Sequence, residues 1–170
     1  MLYTTQIANT LKSTQRIHAM TLTVYYDGSC PLCRAEINTI REVAPEGALT
    51  FIDCSGPGFD DAAAHHEGVS QDDMMQALHV RDSAGHWFKG VDAFVQLYGY
   101  GGLPQLSRLW AHPVIYPVMT RIYPWVVRNR YWLSRLGLPA ATDALIRFNA
   151  RRAQRNSRLC ENGECSLEER

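Results

Sequence analysis

The chain has 170 residues, 46% of them hydrophobic, with 17 basic and 17 acidic side chains and no net charge. That is enough for one domain with a real core, or for a small domain with an extension. The apolar content excludes a disordered chain, and the lack of any run of about 18 apolar residues excludes a spanning helix. Charge is unevenly placed: residues 20–102 hold twelve acids against four bases, whereas residues 103–158 hold ten arginines against one acid, Asp143.

Residues 1–20 lack the apolar core that a secretory signal needs. They hold several Ser and Thr with Lys12 and Arg16, and no acid. They are read as a disordered leader of a cytoplasmic protein, with organellar import as the alternative. Thr21–Tyr26 is β-rich and stops at the turn signal Asp27-Gly28. Pro31–Ala44 reads as a helix ending before Pro45. Cys33, Ile37, Ile40 and Ala44 fall on one of its faces, and Arg34, Asn38, Arg41 and Glu42 largely on the other. Ala48–Ser55 is a second strand, suited to a sheet covered on both faces. Asp60–Glu67 and Ser70–Gln76 read as short helices, the second capped by Ser70 with Asp73 in its first turn. Ala77–Asp82 and His86–Gly90 bracket a hairpin signal at Ser83-Ala84-Gly85. Val91–Tyr98 is a helix ending at Gly99. The order is a βαβ unit followed by ββα. Beyond Gly101 the pattern is helical only: Leu103–Trp110, Val114–Leu136 and Thr142–Arg155. Breaks are expected near Pro113, Pro117, Pro124 and Pro139. The expected organisation is an α/β domain over 21–100, a helical extension packed on it over 101–158, and a flexible tail over 159–170.

The five cysteines are Cys30, Cys33, Cys54, Cys160 and Cys165. An odd and uneven set does not suit a secreted disulfide framework. Cys30 and Cys33 stand apart because they follow a strand and open a helix, where open α/β sheets place their chemistry. Unpaired backbone N–H groups and the positive end of the helix dipole favour a thiolate there. The two-residue spacer puts the second sulfur about one turn on, within bonding reach of the first. Cys30 is therefore expected to be the exposed attacking thiolate, and Cys33, on the apolar stripe, the buried resolving thiol. Pro31 suits the first helical turn, where no N–H partner is needed. Gly28, Ser29 and Pro31 form the loop expected to face substrate.

Asp27 has two readings. It relays the proton of Cys33, or it caps the N–H of Ser29 or Cys30 in the turn; capping is preferred. The cysteine pair itself has two competing readings. A metal would need two more ligands from Cys54, Cys160, Cys165 or a histidine, and His65 and His66 are neighbours on a helix whose side chains diverge. The other reading is a pair of packed thiols without chemistry. Exchange is preferred for the position of the pair, and no metal or cofactor is expected.

The stretch "VYYDGSCPLCRAEI" resembles the signature of the DCC family of thiol-disulfide oxidoreductases, named for the Asp, Cys and Cys that here are Asp27, Cys30 and Cys33. The resemblance continues through "ALHVRDSAGHWFKGVDAFVQL" and "YPWVVRNRYWLSRL", covering roughly Leu22–Leu136. It implies a thioredoxin-like core. The exchange read from the cysteine pair would act on a protein or small-molecule disulfide or thiol, with an unidentified reductant. Thioredoxins also place a cis-proline facing their cysteines. The matching stretch here, Met75–Ala77, has no proline, so a partner is expected to dock differently.

The ten arginines of the second half lie among Trp110, Tyr116, Tyr123, Trp125, Tyr131 and Trp132. They are expected to pair across the join with the acidic half, the aromatics filling core. Arg128, Arg130 and Tyr131 are expected to have a structural job. Weak association with an anionic membrane surface is the second reading, and no nucleic-acid motif is present. Cys160 and Cys165 flank Asn162-Gly163 and are an accessory redox pair by hypothesis. Cys54 reads as a buried core residue. A monomeric exchange enzyme is the leading expectation. The alternative is a non-catalytic thioredoxin-like module that docks a protein or an anionic membrane through its Arg/aromatic helices.

Overall fold

Residues 21–161 are described in the computed structural model, with side chains to residue 155. Alternation along the first strand divides the core in two. In β1 (Leu22–Tyr26) Leu22 and Val24 face one side and Tyr25 the other, as a two-residue period demands. Leu22 and Val24 pack with Ile37 and Ile40 of α1 (Pro31–Val43) and with Leu97 of α4 (Val91–Tyr100). Tyr25 packs with Cys54, with Ala64 of α2 (Ala62–His66) and with Met74 of α3 (Gln71–Gln76).

β2 (Leu49–Asp53) pairs parallel to β1, and β3 (His79–Asp82) pairs antiparallel to β1 on its other side. β4 (Trp87–Lys89) closes the hairpin, giving the order β2-β1-β3-β4. This is the expected mixed α/β arrangement, a thioredoxin-like core followed by helices. β2 lies at the sheet edge and is covered on both faces as expected, with Leu49 and Phe51 packing on the first core cluster and Ile52 on the second. The expected Ser70 cap is present as a reciprocal pair with Asp73. α4 runs through Gly99 to Tyr100 rather than stopping at Gly99.

After α5 (Pro104–Trp110), residues 115–135 form one continuous helix, α6 (Ile115–Arg135), where proline breaks were expected. Pro117 lies in its first turn, where the backbone N–H has no intrahelical partner to lose. Pro124 is interior and forfeits one bond, but tertiary anchors hold the helix on both sides of it. Tyr123 Oη accepts the Leu78 N–H at 2.9 Å, and Arg130 Nη1 donates to the Met75 carbonyl at 2.7 Å. The chain then reverses at Gly137, whose φ of +81° is open to glycine at little cost. α7 (Leu138–Glu161) returns along α1. Thr39 Oγ1 bonds Asp143 at 2.6 Å, Arg147 reaches Glu42 at 2.8 Å, and Ile146 and Ala150 complete the first core cluster. The expected leader, residues 1–20, and the tail from residue 162 lie outside the described residues, as do Cys165 and the side chain of Cys160.

Candidate active site

The turn after β1 is built from carboxylates. Asp53, at the end of the neighbouring β2, accepts the Gly28 N–H at 3.0 Å and the Ser55 N–H at 2.8 Å. A Cβ at residue 28 would lie 2.0 Å from Asp53 Oδ2, so a larger residue would push the Asp53 carboxylate off the turn it holds. Asp27 is buried, and Oδ1 accepts the Ser29 N–H at 2.9 Å and the Ser29 hydroxyl at 2.5 Å. The preferred capping geometry is therefore present at Asp27. Its Oδ2 accepts Arg130 Nη2 at 2.6 Å and the Tyr131 hydroxyl at 3.2 Å. Both oxygens are engaged by donors, which leaves the relay reading of Asp27 without a free acceptor.

Cys30 is the N-cap of α1 and Pro31 its first residue. The Cys30 sulfur accepts the Cys33 N–H at 3.3 Å and the Cys33 thiol at 2.7 Å. Those donors, with the charge of Arg130, lower the Cys30 pKa against the opposing effect of burial. Cys33 moves the other way: donating to Cys30, its own burial and the Cys30 charge all keep it protonated. One sulfur is thus poised as the thiolate and the other as its proton-bearing partner.

The exposures are the reverse of those expected. Cys30 is 0% exposed, and Cys33 is the half-buried member. Two side chains of α6, distant in sequence, hold the turn that carries Cys30. Tyr131 Oη lies 3.2 Å from Ser29 Oγ and bonds Asp27, and Arg130 joins Asp27 to the Met75 carbonyl. This clasp spans the loop and the stretch where thioredoxins carry their proline. Of the loop, Ser29 and Pro31 are exposed and Gly28 is buried.

Cys33 faces a cavity of about 80 Å³ between α1 and α6. Asp27, Glu36 and Arg130 share its wall with apolar side chains such as Leu32, Met74 and Val127. Glu36 lies one helical turn after Cys33, and Tyr98 Oη donates to its Oε1 at 2.5 Å. Burial pushes the Glu36 carboxyl up from 4.5 to about 7, against the lowering effect of that bond. The sequence reading passed over Glu36. The available signal was an acid three residues after the second cysteine, beside the apolar face of an amphipathic helix. It also underrated Arg130 and Tyr131, whose structural role is exercised on the site itself.

Cys54 is buried against Met74, and burial raises its thiol to about 12, so it is a poor nucleophile. His65 pairs with Asp60 at the surface, and no cluster of three or more metal-ligating side chains exists among the described residues. Of the arginines expected to pair with the acidic half, Arg130 and Arg147 do so among the described residues. Trp110 and Tyr123 pack on Phe94 as core, but Trp125 and Trp132 are exposed, contrary to expectation. No helix among the described residues is long and apolar enough to cross a membrane.

The chain is 28% identical over 143 residues to an uncharacterized chloroplastic protein of Arabidopsis thaliana, At5g50100. The match takes in 84% of this chain but 64% of that relative's length. No solved structure matches this chain. Residues 24–136 match the family described as DCC1-like thiol-disulfide oxidoreductase, a span that holds the turn, both sulfurs and the clasping arginine and tyrosine, and the chain belongs to that family.

Proposed function

We propose that the protein is a thiol-disulfide oxidoreductase that exchanges a dithiol for a disulfide through Cys30 and Cys33. The observation that carries this reading is the bond between the two sulfurs at a helix N-terminus, which divides the pair into a thiolate and a thiol. In the first step the Cys30 thiolate attacks a substrate disulfide. The substrate S–S bond breaks, a Cys30 mixed disulfide forms, and one substrate thiolate leaves and takes a proton from water. In the second step the Cys33 thiol gives its proton to the Glu36 carboxylate across the shared cavity and attacks the Cys30 sulfur. The Cys30–Cys33 disulfide forms, and the second substrate sulfur leaves as a thiolate that takes up a proton, by way of solvent, equivalent to the one held by Glu36. Two electrons pass from the pair to the substrate, and an external dithiol returns them. Because Cys30 is covered in the closed arrangement, Tyr131 and Arg130 withdraw before the first step. That motion breaks side-chain contacts and leaves the sheet intact.

Trapping tests the reading. Cys33→Ser removes the resolving thiol, so a mixed disulfide accumulates at Cys30 and names the substrate. A Cys33→Ser protein that captures nothing under oxidising conditions, while Cys30→Ser captures partners at Cys33, reverses the assignment of the two sulfurs.

Two finer points belong to the same proposal. The chloroplastic name of the relative supports organellar import over a cytoplasmic location, and cell fractionation decides between them. Cys160 and Cys165 serve as accessory electron carriers to the main pair. Replacing both by Ser and finding unchanged turnover with every reductant removes that role.

A further inference from the structure

The outer face of α6 has no counterpart in the exchange chemistry. Val118, Ile122, Trp125 and Trp132, with Leu136 just past the helix end, are 44%, 44%, 52%, 55% and 63% exposed. At 100° per residue they lie within about 80° of arc, a single stripe along the helix. Arg121, Arg128 and Arg135 follow one edge of the stripe at seven-residue intervals, about 10 Å apart. All three are exposed, and none makes an ion pair among the described residues. From residue 103 to residue 142 the sequence carries no acid. The opposite face of the helix is spoken for: Tyr123, Val126, Val127 and Arg130 line the cavity beside Cys33.

We infer that this face of α6 is a docking surface for an anionic lipid bilayer, with the helix lying in the plane of the headgroups. Two needs must be met together. The apolar stripe has to leave water, and the arginine row has to find negative charge. A bilayer surface meets both: tryptophan and aliphatic side chains enter the acyl boundary while the arginine stems reach headgroup phosphates. A second copy of the chain does not, because stripe-to-stripe packing covers the apolar side chains but brings the arginine row no acid, none lying between residues 103 and 142. A nucleic acid would engage the arginines and leave Val118, Ile122 and Leu136 in water. The inference does not rest on the exchange reading, since none of these residues belongs to the redox site.

The test is flotation of the full chain with vesicles of neutral phosphatidylcholine, alone or with about 30 mol% phosphatidylglycerol. Binding is expected to the anionic vesicles only, with a shift of tryptophan emission to shorter wavelength. Arg121→Glu/Arg128→Glu/Arg135→Glu should weaken it at least about a hundredfold. Trp125→Ser/Trp132→Ser, which keeps every charge, should also weaken it, and circular dichroism checks that each variant is folded. Cys30→Ser should bind as the wild type does, which separates this inference from the redox reading. Equal binding to neutral vesicles overturns the inference, as does binding that survives the charge reversal. So does a dimer in solution that the tryptophan variant dissolves, or displacement from vesicles by an excess of double-stranded DNA.

Discussion

In the proposed mechanism Glu36 takes up the Cys33 proton at the residue scale, and its environment sets a sign that can be measured. Burial raises its carboxyl from 4.5 to about 7. Between those values the folded chain binds a proton that the unfolded chain has lost, so this group's contribution to stability is complete below the lower value and lost as pH rises through the upper one. Glu36→Gln removes the titration and keeps an acceptor for Tyr98. The variant should gain on the order of 2 kcal/mol over wild type at pH 8, and the gap should close below about pH 4. Urea unfolding at both pH values checks this. The same variant should slow the resolving step and leave capture of the first mixed disulfide intact, in a single-turnover experiment. Gly28 supports a steric prediction. Its missing Cβ leaves room for Asp53, and Gly28→Ala should destabilise the fold by about 1–3 kcal/mol, read from the denaturation midpoint. Tyr131→Phe removes the hydroxyl that bonds Asp27 and approaches Ser29. Alkylation of Cys30 should then run several-fold faster than in wild type, as counted by peptide mass spectrometry.

α6 links the fold to the site at the scale of elements. Arg130 and Asp27 form an ion pair whose side chains are 13% and 1% exposed. Arg130→Met leaves the Asp27 carboxylate buried without its cation, at a cost of about 3–5 kcal/mol. Adding Asp27→Asn should recover much of that loss, and a double-mutant cycle measures the recovery. The sequence announced the short elements well. The Ser70–Asp73 cap, the Ser83-Ala84-Gly85 hairpin and the Pro31 helix start are local signals, and local signals sufficed. α6 was misjudged because proline breaks a helix only when nothing else holds it, and the anchors at Tyr123 and Arg130 come from distant partners, Leu78 and Met75. β2 was read correctly as covered on both faces, because alternation along Leu49, Phe51 and Ile52 is again a local signal.

Across the whole molecule, residues after Gly101 act as part of the core and hold the turn before the cysteines. Leu103, Leu106, Ile146 and Ala150 share one cluster with Leu22 and Val24 of the first strand. The closeness of the two sulfurs was legible, because two intervening residues at a helix start put them about one turn apart. Their exposure was not legible, because burial is a tertiary property that position on a helix does not set: the N-cap Cys30 is buried and Cys33 is half-buried. The asymmetry of charge was visible from the start, and its resolution was not. The described contacts pair Arg130 and Arg147 with acids of the first half and leave the Arg121, Arg128 and Arg135 row facing outward.

The central claim is that Cys30 carries the reactive charge although it is buried. Alkylation of the reduced full chain across pH, with each cysteine peptide quantified separately, tests it most directly. The account predicts that Cys30 labels ahead of Cys33 and Cys54, with a midpoint below the ordinary thiol value of about 8.5. Cys33 should stay protected until Cys30 is blocked. Labelling of Cys33 first, or a Cys30 that stays inert at every pH in both the wild type and Tyr131→Phe, would contradict it.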